Sequence, residues 1–140
     1  MNVNIQSTLV DFAIDSSKLI RDVESDLCGA VVTFSGNVRS HDKGRNVLSL
    51  SYEVHPSTAV VLDRVVKEVC ARHEISNARV AHRYGEIPIG EAAMFIAVSA
   101  ANRQAALTVC SNLVDEIKAQ IPIWKHQIFF DGSDEWVNCA

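Results

Sequence analysis

The stretch "DEIKAQIPIWKHQIFF", residues 115–130, changes its pattern at a single proline. The residues before Pro122 continue a helical periodicity, whereas "IWKHQIFF" after it is typical of a strand rich in bulky apolar residues. A proline disfavours helical geometry in the residue before it, so the helix is expected to end at Ile121. A chain that reverses at this point can bring Lys118 and Lys125 to one rim of the fold.

Two long helices are predicted from apolar residues that recur at spacings of three and four. The helix before the proline covers about 102–120, and its inward stripe is Ala106, Cys110, Leu113 and Ile117. The other long helix covers about 57–74, and Ser57 is a candidate N-cap. Its inward stripe is Ala59, Leu62, Val66, Val69 and His73.

The remaining pattern predicts one short helix and six strands. The short helix covers about 16–25 and is capped by Asp15 or Ser16. The strands cover about 3–10, 29–38, 47–55, 78–87, 92–100 and 123–130. The polar, glycine-containing segment 40–46 is a loop, and we expect the strands on either side of it to pair as a hairpin.

The order of these elements, β-α-β-β-α-β-β-α-β, indicates an α+β fold with helices packed on a mixed or antiparallel sheet. A length of 140 residues favours a single domain over 1–140. A chain of this length buries enough surface to fold without a metal ion or a disulfide.

The composition excludes several classes of function. The net charge is −4 and the isoelectric point is about 5.7, which argues against general nucleic-acid binding. The N-terminus lacks the pattern of a signal peptide, and the longest apolar stretch, residues 92–101, is too short to cross a bilayer. We therefore expect a cytoplasmic protein with neither a nucleic-acid nor a membrane partner.

No nucleophile, metal or cofactor motif is present in the sequence. The four cysteines, Cys28, Cys70, Cys110 and Cys139, match no zinc or redox spacing, and neither GxSxG nor HExxH occurs. Cys70 and Cys110 lie on or beside helical stripes and are expected to be buried, whereas Cys139 is expected to be exposed. We predict no metal and no cofactor.

Basic residues at the ends of helices and strands are the remaining candidates for chemistry. Lys118 lies in the last turn of its helix, Lys125 begins the next strand, Arg39 ends a strand, and Arg103 opens a helix. A lysine at a helix C-terminus also suits the helix dipole, so a solvated surface charge is the alternative for each of them. For His82, which lies within a strand, a structural role is as plausible as a functional one.

Three segments together resemble a known family. They are "GAVVTFSGNVRSHDKGRNVLSLSYEVHPSTA", "AHRYGEIPIGEAAMFIAVSAANRQAA" and "DEIKAQIPIWKHQIFFDGSDEWV", which lie in order within about residues 28–137. In sequence and spacing they are similar to the large, catalytic subunit of molybdopterin synthase. The combination of the "K-x-x-x-P-x-W-K" and "G-x-V-R" blocks makes the resemblance specific.

The resemblance implies an α/β hammerhead fold, a homodimer and a small ubiquitin-like partner whose C-terminal Gly-Gly carries a thiocarboxylate. It further implies that two sulfurs pass from this carrier into cyclic pyranopterin monophosphate to form the dithiolene of molybdopterin. The residues that match the family's catalytic positions are Lys118 and Lys125. Those that match or adjoin its substrate-binding positions are Arg39, Asn102, Arg103, His126 and Gln127.

The chain departs from the family pattern at two places. Asn102 stands where the family often has histidine, and His126-Gln127 stand where it often has Arg-Glu. Asparagine donates hydrogen bonds but takes up no proton at neutral pH, so Asn102 is expected to position substrate only. Gln127 lacks the carboxylate that could orient a neighbouring lysine.

The two anions of such a reaction explain why two lysines bracket the turn. Substrate phosphate and thiocarboxylate repel each other, and one opposite charge at 4 Å is worth about 4 kcal/mol at an effective dielectric near 20. We hypothesise that Lys118 acts at the reacting centre while Lys125, Arg39 and Arg103 hold the anions. The alternatives are a dimeric module that binds an anionic metabolite without turnover, and an enzyme that passes sulfur through its own cysteine.

Overall fold

The computed structural model describes residues 3–138, which form an α+β fold of two sheets and three helices. The helices are α1 (Ser16–Val23), α2 (Thr58–Arg72) and α3 (Arg103–Gln120). The strands are β1 (Asn4–Val10), β2 (Ala30–Asn37), β3 (His41–Asp42), β4 (Arg45–Val54), β5 (Asn77–Arg83), β6 (Gly85–Ile87), β7 (Ala92–Ala100), β8 (Ile123–Phe129) and β9 (Asp134–Asn138). The expected α+β class is confirmed.

The first sheet has the strand order β1-β5-β7-β2 and carries helices on both faces. The β1–β5 pair is parallel and the other two pairs are antiparallel, so the sheet is mixed. Residues such as Val80 and Ile96 on one face pack with α2 and α3 in the main core. Phe95 and Ala97 on the other face pack with the residues of α1.

The second sheet is antiparallel, with the order β3-β4-β8-β9 and the short β6 beside β4. The expected hairpin of 29–38 with 47–55 is therefore wrong, because β2 pairs with β7 in the first sheet and β4 pairs with β8 in the second. The loop between them instead closes on itself as the β3–β4 hairpin, whose turn places Lys43 and Gly44 at φ angles of 51° and 80°.

The segment predicted as one strand over 78–87 is divided between the two sheets. β5 ends at Arg83, Gly85 adopts a φ of 79°, and β6 then pairs with β4. β9 was absent from the sequence-based prediction, since its burial alternates only between exposed and half-buried residues. The division at Gly85 links the second sheet to the first, whereas β9 extends the second sheet beside β8.

The helix that ends before Pro122 was predicted correctly. Its stripe of Ala106, Cys110, Leu113 and Ile117 is buried, and the Ile121 N–H donates to the carbonyl of Ile117 at 3.0 Å. Asp15 caps α1 by accepting from the Lys18 N–H, as expected.

Two details of the α2 prediction are wrong. Ala59 is exposed, because it lies in the first turn outside the buried stripe of Leu62, Val66 and Val69. The Ser57 side chain makes no cap hydrogen bond, since it contacts Nδ1 of His55 instead.

The cysteines of the helices behave as apolar residues. Cys70 and Cys110 are buried, and burial raises the pKa of both thiols, that of Cys70 to about 11. The expected exposure of Cys139 lies outside the described residues. Across residues 3–138, none of the helices is both long enough and apolar enough to cross a membrane.

Candidate active site

The turn at Pro122 is held by a buried side chain from the start of α2. The Thr58 hydroxyl donates to the Pro122 carbonyl at 2.8 Å and accepts from the His55 N–H at 2.9 Å. Thr58 has no exposed surface, so this link is shielded from water. It fixes the course of the chain between Lys118, in the last turn of α3, and Lys125 on β8.

The alternation of β8 decides which of its side chains reach the site. Lys125 pairs with Tyr52 and Gln127 pairs with Leu50 of β4, and all four residues border one cleft. His126 lies between the two on the strand, so its side chain points to the opposite face.

The cleft lies where the ends of β2 and α3 meet the second sheet, and its volume is about 310 Å³. Arg39, Lys118 and Lys125 border it, and Asp42 is the one carboxylate among the described residues that line it. Three cations against one anion make the cleft electropositive in a chain whose net charge is −4. The expected meeting of Lys118 and Lys125 at one rim is therefore observed, and the structure places Arg39 beside them.

His82 lines the same cleft as a buried, neutral imidazole. Its ring packs edge-on against Tyr52, with centroids 5.2 Å apart, and its Nδ1 donates to the Arg83 carbonyl at 2.9 Å. Burial, with a smaller contribution from the nearby charge of Lys118 and against the hydrogen bond to the Arg83 carbonyl, lowers the pKa of His82 to about 4. Because Nδ1 carries the proton, Nε2 presents a lone pair rather than a charge.

Asp42 supplies a carboxylate that the sequence analysis did not place in the site. Its Oδ2 accepts from Nε2 of Gln127 at 3.0 Å, and its Oδ1 lies 3.4 Å from Nη2 of Arg39. The hydrogen bond from Gln127 holds the pKa of Asp42 below its ordinary value, against the opposing effect of burial, and Lys125 and Arg39 add to the lowering.

Asn102 and Arg103 are not brought into this cleft. Arg103 begins α3 and Lys118 lies fifteen residues later, which corresponds to roughly 22 Å along the helix. Asn102 is the N-cap, and its Oδ1 accepts from the Ala105 N–H at 3.0 Å. It borders a different cavity of about 770 Å³, beside His73 and Cys28.

His126 also lies outside the cleft, on the outer face of the second sheet. Its ring stacks on Trp136 with centroids 4.2 Å apart, and its Nε2 lies 2.8 Å from Oδ2 of Asp134. The register explains this contact, because His126 pairs directly with Trp136 of β9. The sequence pattern could not show it, since β9 was not predicted.

The site residues that sequence reasoning missed are Asp42 and the cleft-facing role of His82. Asp42 was placed in a polar loop, and the only available signal was the "DKG" turn that folds the loop into a hairpin. His82 precedes Arg83, which pairs with Glu91 at 2.7 Å, so the two adjacent basic residues have different roles. Among residues 3–138 no cluster of side chains suited to a metal ion is found.

An α+β chain whose cleft gathers cationic side chains, with no thiol in the described wall of that cleft, belongs to a class of fold and site suited to binding anions. Residues 9–120 match the family model described as MoaE protein, and the chain belongs to this family.

Named relatives and solved structures agree with this assignment. The molybdopterin synthase catalytic subunit of Oryza sativa subsp. indica is 38% identical over 120 residues, which is 85% of this chain and 62% of that protein. The chain thus spans about three-fifths of the length of that relative. The crystal structure of molybdopterin synthase from Staphylococcus aureus has a TM-score of 0.85 and 29% identity, and the match covers 92% of this chain and 94% of that one.

A second solved structure is a complex. It is titled as the protein-protein complex of subunits 1 and 2 of molybdopterin-converting factor from Helicobacter pylori 26695. It has a TM-score of 0.73 and 21% identity, and the match covers 94% of this chain and 88% of that one. At this identity the likeness shows a common fold.

Proposed function

We propose that this chain is the catalytic subunit of a molybdopterin synthase. In this reaction two sulfurs pass into cyclic pyranopterin monophosphate to form the dithiolene, one from each of two thiocarboxylated small ubiquitin-like carriers, and each carrier is left as a carboxylate. The observation that carries the proposal is the cleft itself, in which Arg39, Lys118 and Lys125 lie together with the carboxylate of Asp42. Both reactants are anions, and such a cleft brings them together against their mutual repulsion.

The position of the cysteines supports a sulfur donor outside this chain. Cys70 and Cys110 are buried in the main core, and their raised pKa values keep them as unreactive thiols. Cys28 borders the cavity near Asn102 and not the cationic cleft. In this proposal sulfur arrives on the carrier. Its thiocarboxylate sulfur bonds to a pyranopterin carbon in place of the oxygen on that carbon, and water then cleaves the bond between the sulfur and the carrier's acyl carbon, which leaves a carboxylate on the carrier.

The lysines differ in their surroundings, and this difference supports a separate role for each of them. Lys118 has no ion pair among residues 3–138 and lies near the neutral His82, so its ammonium is free to meet charge that develops during the reaction. Lys125 lies near Asp42 and, together with Arg39, is suited to hold the phosphate or the thiocarboxylate. Gln127 orients Asp42 beneath them.

A small carrier subunit as the partner of this chain is part of the same proposal. The Helicobacter pylori complex joins two subunits of molybdopterin-converting factor, and the likeness of fold supports a small carrier subunit for this chain. The cleft is open at the exposed side chain of Arg39, which leaves room for the extended C-terminus of a carrier. A cytoplasmic location is part of this proposal.

A homodimer accounts for Asn102 and Arg103. Within one chain these residues lie too far from Lys118 to contact the same small anion, so their assignment to substrate binding requires a second copy of the chain. A mixing experiment tests this, starting from Lys118→Ala and Arg103→Ala chains that are each impaired. If each site combines residues of two chains, refolding the mixture restores about a quarter of wild-type activity, because half of the dimers carry one intact site. Additive residual activity would contradict the shared site.

Reconstitution tests the function directly. The purified chain is mixed with thiocarboxylated carrier and cyclic pyranopterin monophosphate, and the dithiolene product is measured. Product formation is expected, and it should persist in a folded variant with all four cysteines replaced by alanine or serine. Binding of both reactants without product would favour a non-catalytic anion-binding module. Loss of product only in the cysteine-free variant would favour a thiol relay.

A further inference from the structure

We propose that Asp42 is a positioning residue of the cleft, which holds the Arg39 guanidinium at the mouth and offsets part of the positive charge around Lys125. The inference rests on the proposed function for the reaction that Asp42 serves. Its geometry, and its effect on simple anions, can be tested without that reaction.

The backbone around Asp42 is fixed by a tight turn. Asp42 pairs with Arg45 across the β3–β4 hairpin, and the two residues between them, Lys43 and Gly44, both have positive φ angles. Two consecutive positive φ angles are typical of a two-residue turn that matches the twist of its strands. The position of the Asp42 carboxylate is thus set by the hairpin rather than by a mobile loop.

The carboxylate itself is fixed by Gln127. The side chain of Gln127 is only 3% exposed, and its Nε2 donates to Oδ2 of Asp42 at 3.0 Å. The second oxygen, Oδ1, is therefore directed to Nη2 of Arg39 at 3.4 Å. Among residues 3–138 Asp42 is the one hydrogen-bonding partner of that guanidinium, although the Arg39 side chain is 69% exposed.

The charge of Asp42 has opposite consequences for binding and for turnover. An anionic substrate must share Arg39 with this carboxylate, so Asp42 weakens binding of the ground state. The same carboxylate keeps the guanidinium in one place, and preorganised charge is what stabilises a transition state. Removal of the charge should therefore tighten anion binding and slow the reaction.

The first test is Asp42→Asn, in which the side-chain oxygen can still accept from Gln127. Calorimetric titration of the unliganded chain with inorganic phosphate should show binding tightened by about twofold to fivefold, the scale of one partly exposed charge pair. In the reconstituted reaction kcat should fall while KM falls or stays unchanged. Arg39→Ala is the matched control, and in that background Asp42→Asn should have a smaller effect on phosphate binding.

The second test is the reciprocal exchange Asp42→Asn with Gln127→Glu. Gln127→Glu alone places two carboxylates about 3 Å apart, so one of them must hold a proton, and the melting temperature should fall. The double variant restores the hydrogen bond and the net charge but moves the carboxylate away from Arg39. Its melting temperature should recover while its kcat remains low.

Two outcomes overturn the inference. One is an Asp42→Asn chain with unchanged phosphate affinity and unchanged kcat. The other is full recovery of kcat in the double variant, which would reduce Asp42 to one half of a structural hydrogen bond. Failure of the wild-type chain to form product would instead refute the proposed function, and the phosphate affinities would still decide the role of Asp42.

Discussion

The two ends of α3 carry similar residues in different surroundings. At the C-terminal end, Lys118 faces a cleft that also receives Lys125 and Arg39 from other elements. At the N-terminal end, Arg103 is exposed and Asn102 is engaged as the helix cap. Both ends of the helix carry a basic residue, but among residues 3–138 the cationic cleft forms only around the C-terminal end.

The difference between these ends shows what makes a charged residue a candidate for catalysis. A lysine in the last turn of a helix is favoured by the helix dipole whether or not it has a function. Lys118 gains its significance from residues distant in sequence, namely His82 on β5 and Arg39 after β2, which join Lys125 around it. Arg103 can gain a similar setting only from another chain.

The largest effect is expected at Lys118. Lys118→Ala should lower single-turnover formation of the dithiolene by about 10²–10³-fold with saturating carrier, the usual scale for one preorganised electrostatic group. Lys118→Arg should recover activity if charge alone matters and stay impaired if Lys118 donates a proton. Lys67→Ala is a matched control, because Lys67 lies on the outer face of α2 and pairs with Asp63. Full activity of Lys118→Ala would mean that Lys118 is a surface charge without a catalytic role in its own chain, as Arg103 is at the other end of α3.

His82 should make folding stability depend on pH. Its folded-state pKa lies below its ordinary value, so the unfolded chain binds the extra proton as the pH falls below about 6.5. Stability is fully present above that pH and declines down to about 4, by roughly 3 kcal/mol for a shift from 6.5 to about 4.

Urea unfolding at pH 7 and pH 5 measures the contribution of His82. His82→Gln should show a smaller loss between the two pH values than the wild-type chain. His55→Gln, a change at an exposed histidine, should retain the wild-type loss. Equal losses of stability in all three chains would mean that folding does not lower the pKa of His82. His82 would then take up a proton in the folded chain despite its place beside Lys118.

A smaller effect is expected at Lys125. Lys125→Ala should raise KM for the anionic reactant by about tenfold, on the order of 1.4 kcal/mol, and leave most of kcat at saturation. The reason is that Lys125 lies among groups that hold anions and close to the negative charge of Asp42. Steady-state kinetics over a wide range of substrate concentration separate the two parameters. A loss confined to kcat would place Lys125 at the reacting centre alongside Lys118.

The smallest effect is expected at Asn102, at the other end of α3. Asn102→Ala should cost about 1 kcal/mol of folding stability, the usual scale for the loss of an N-cap. Asn102→Asp keeps a capping oxygen, so stability should return to the wild-type level. If Asn102 also contacts the anionic substrate from a second chain, KM should rise in Asn102→Asp despite the intact cap. An unchanged KM would restrict Asn102 to a structural role.

The success of the sequence-based prediction varied along the chain. The end of α3 and its buried stripe were correct because a proline and a 3.6-residue period act locally. The hairpin expected around 40–46 was wrong because the partners of β2 and β4 lie far away in sequence. The segment 78–87, predicted as one strand, is divided between two sheets at Tyr84, and no local signal other than Gly85 marks that point.

By itself, the sequence determined that a helix ends at Ile121 and that a lysine lies on each side of the following proline, because steric limits on the backbone act between neighbouring residues. The tertiary structure alone decided that Arg39 and His82 join the two lysines in one cleft. It also determined that Asp42 accepts a hydrogen bond from Gln127 and that Arg103 lies at the end of α3 opposite Lys118. These outcomes depend on strand register and sheet order, which arise from contacts between distant segments of the chain.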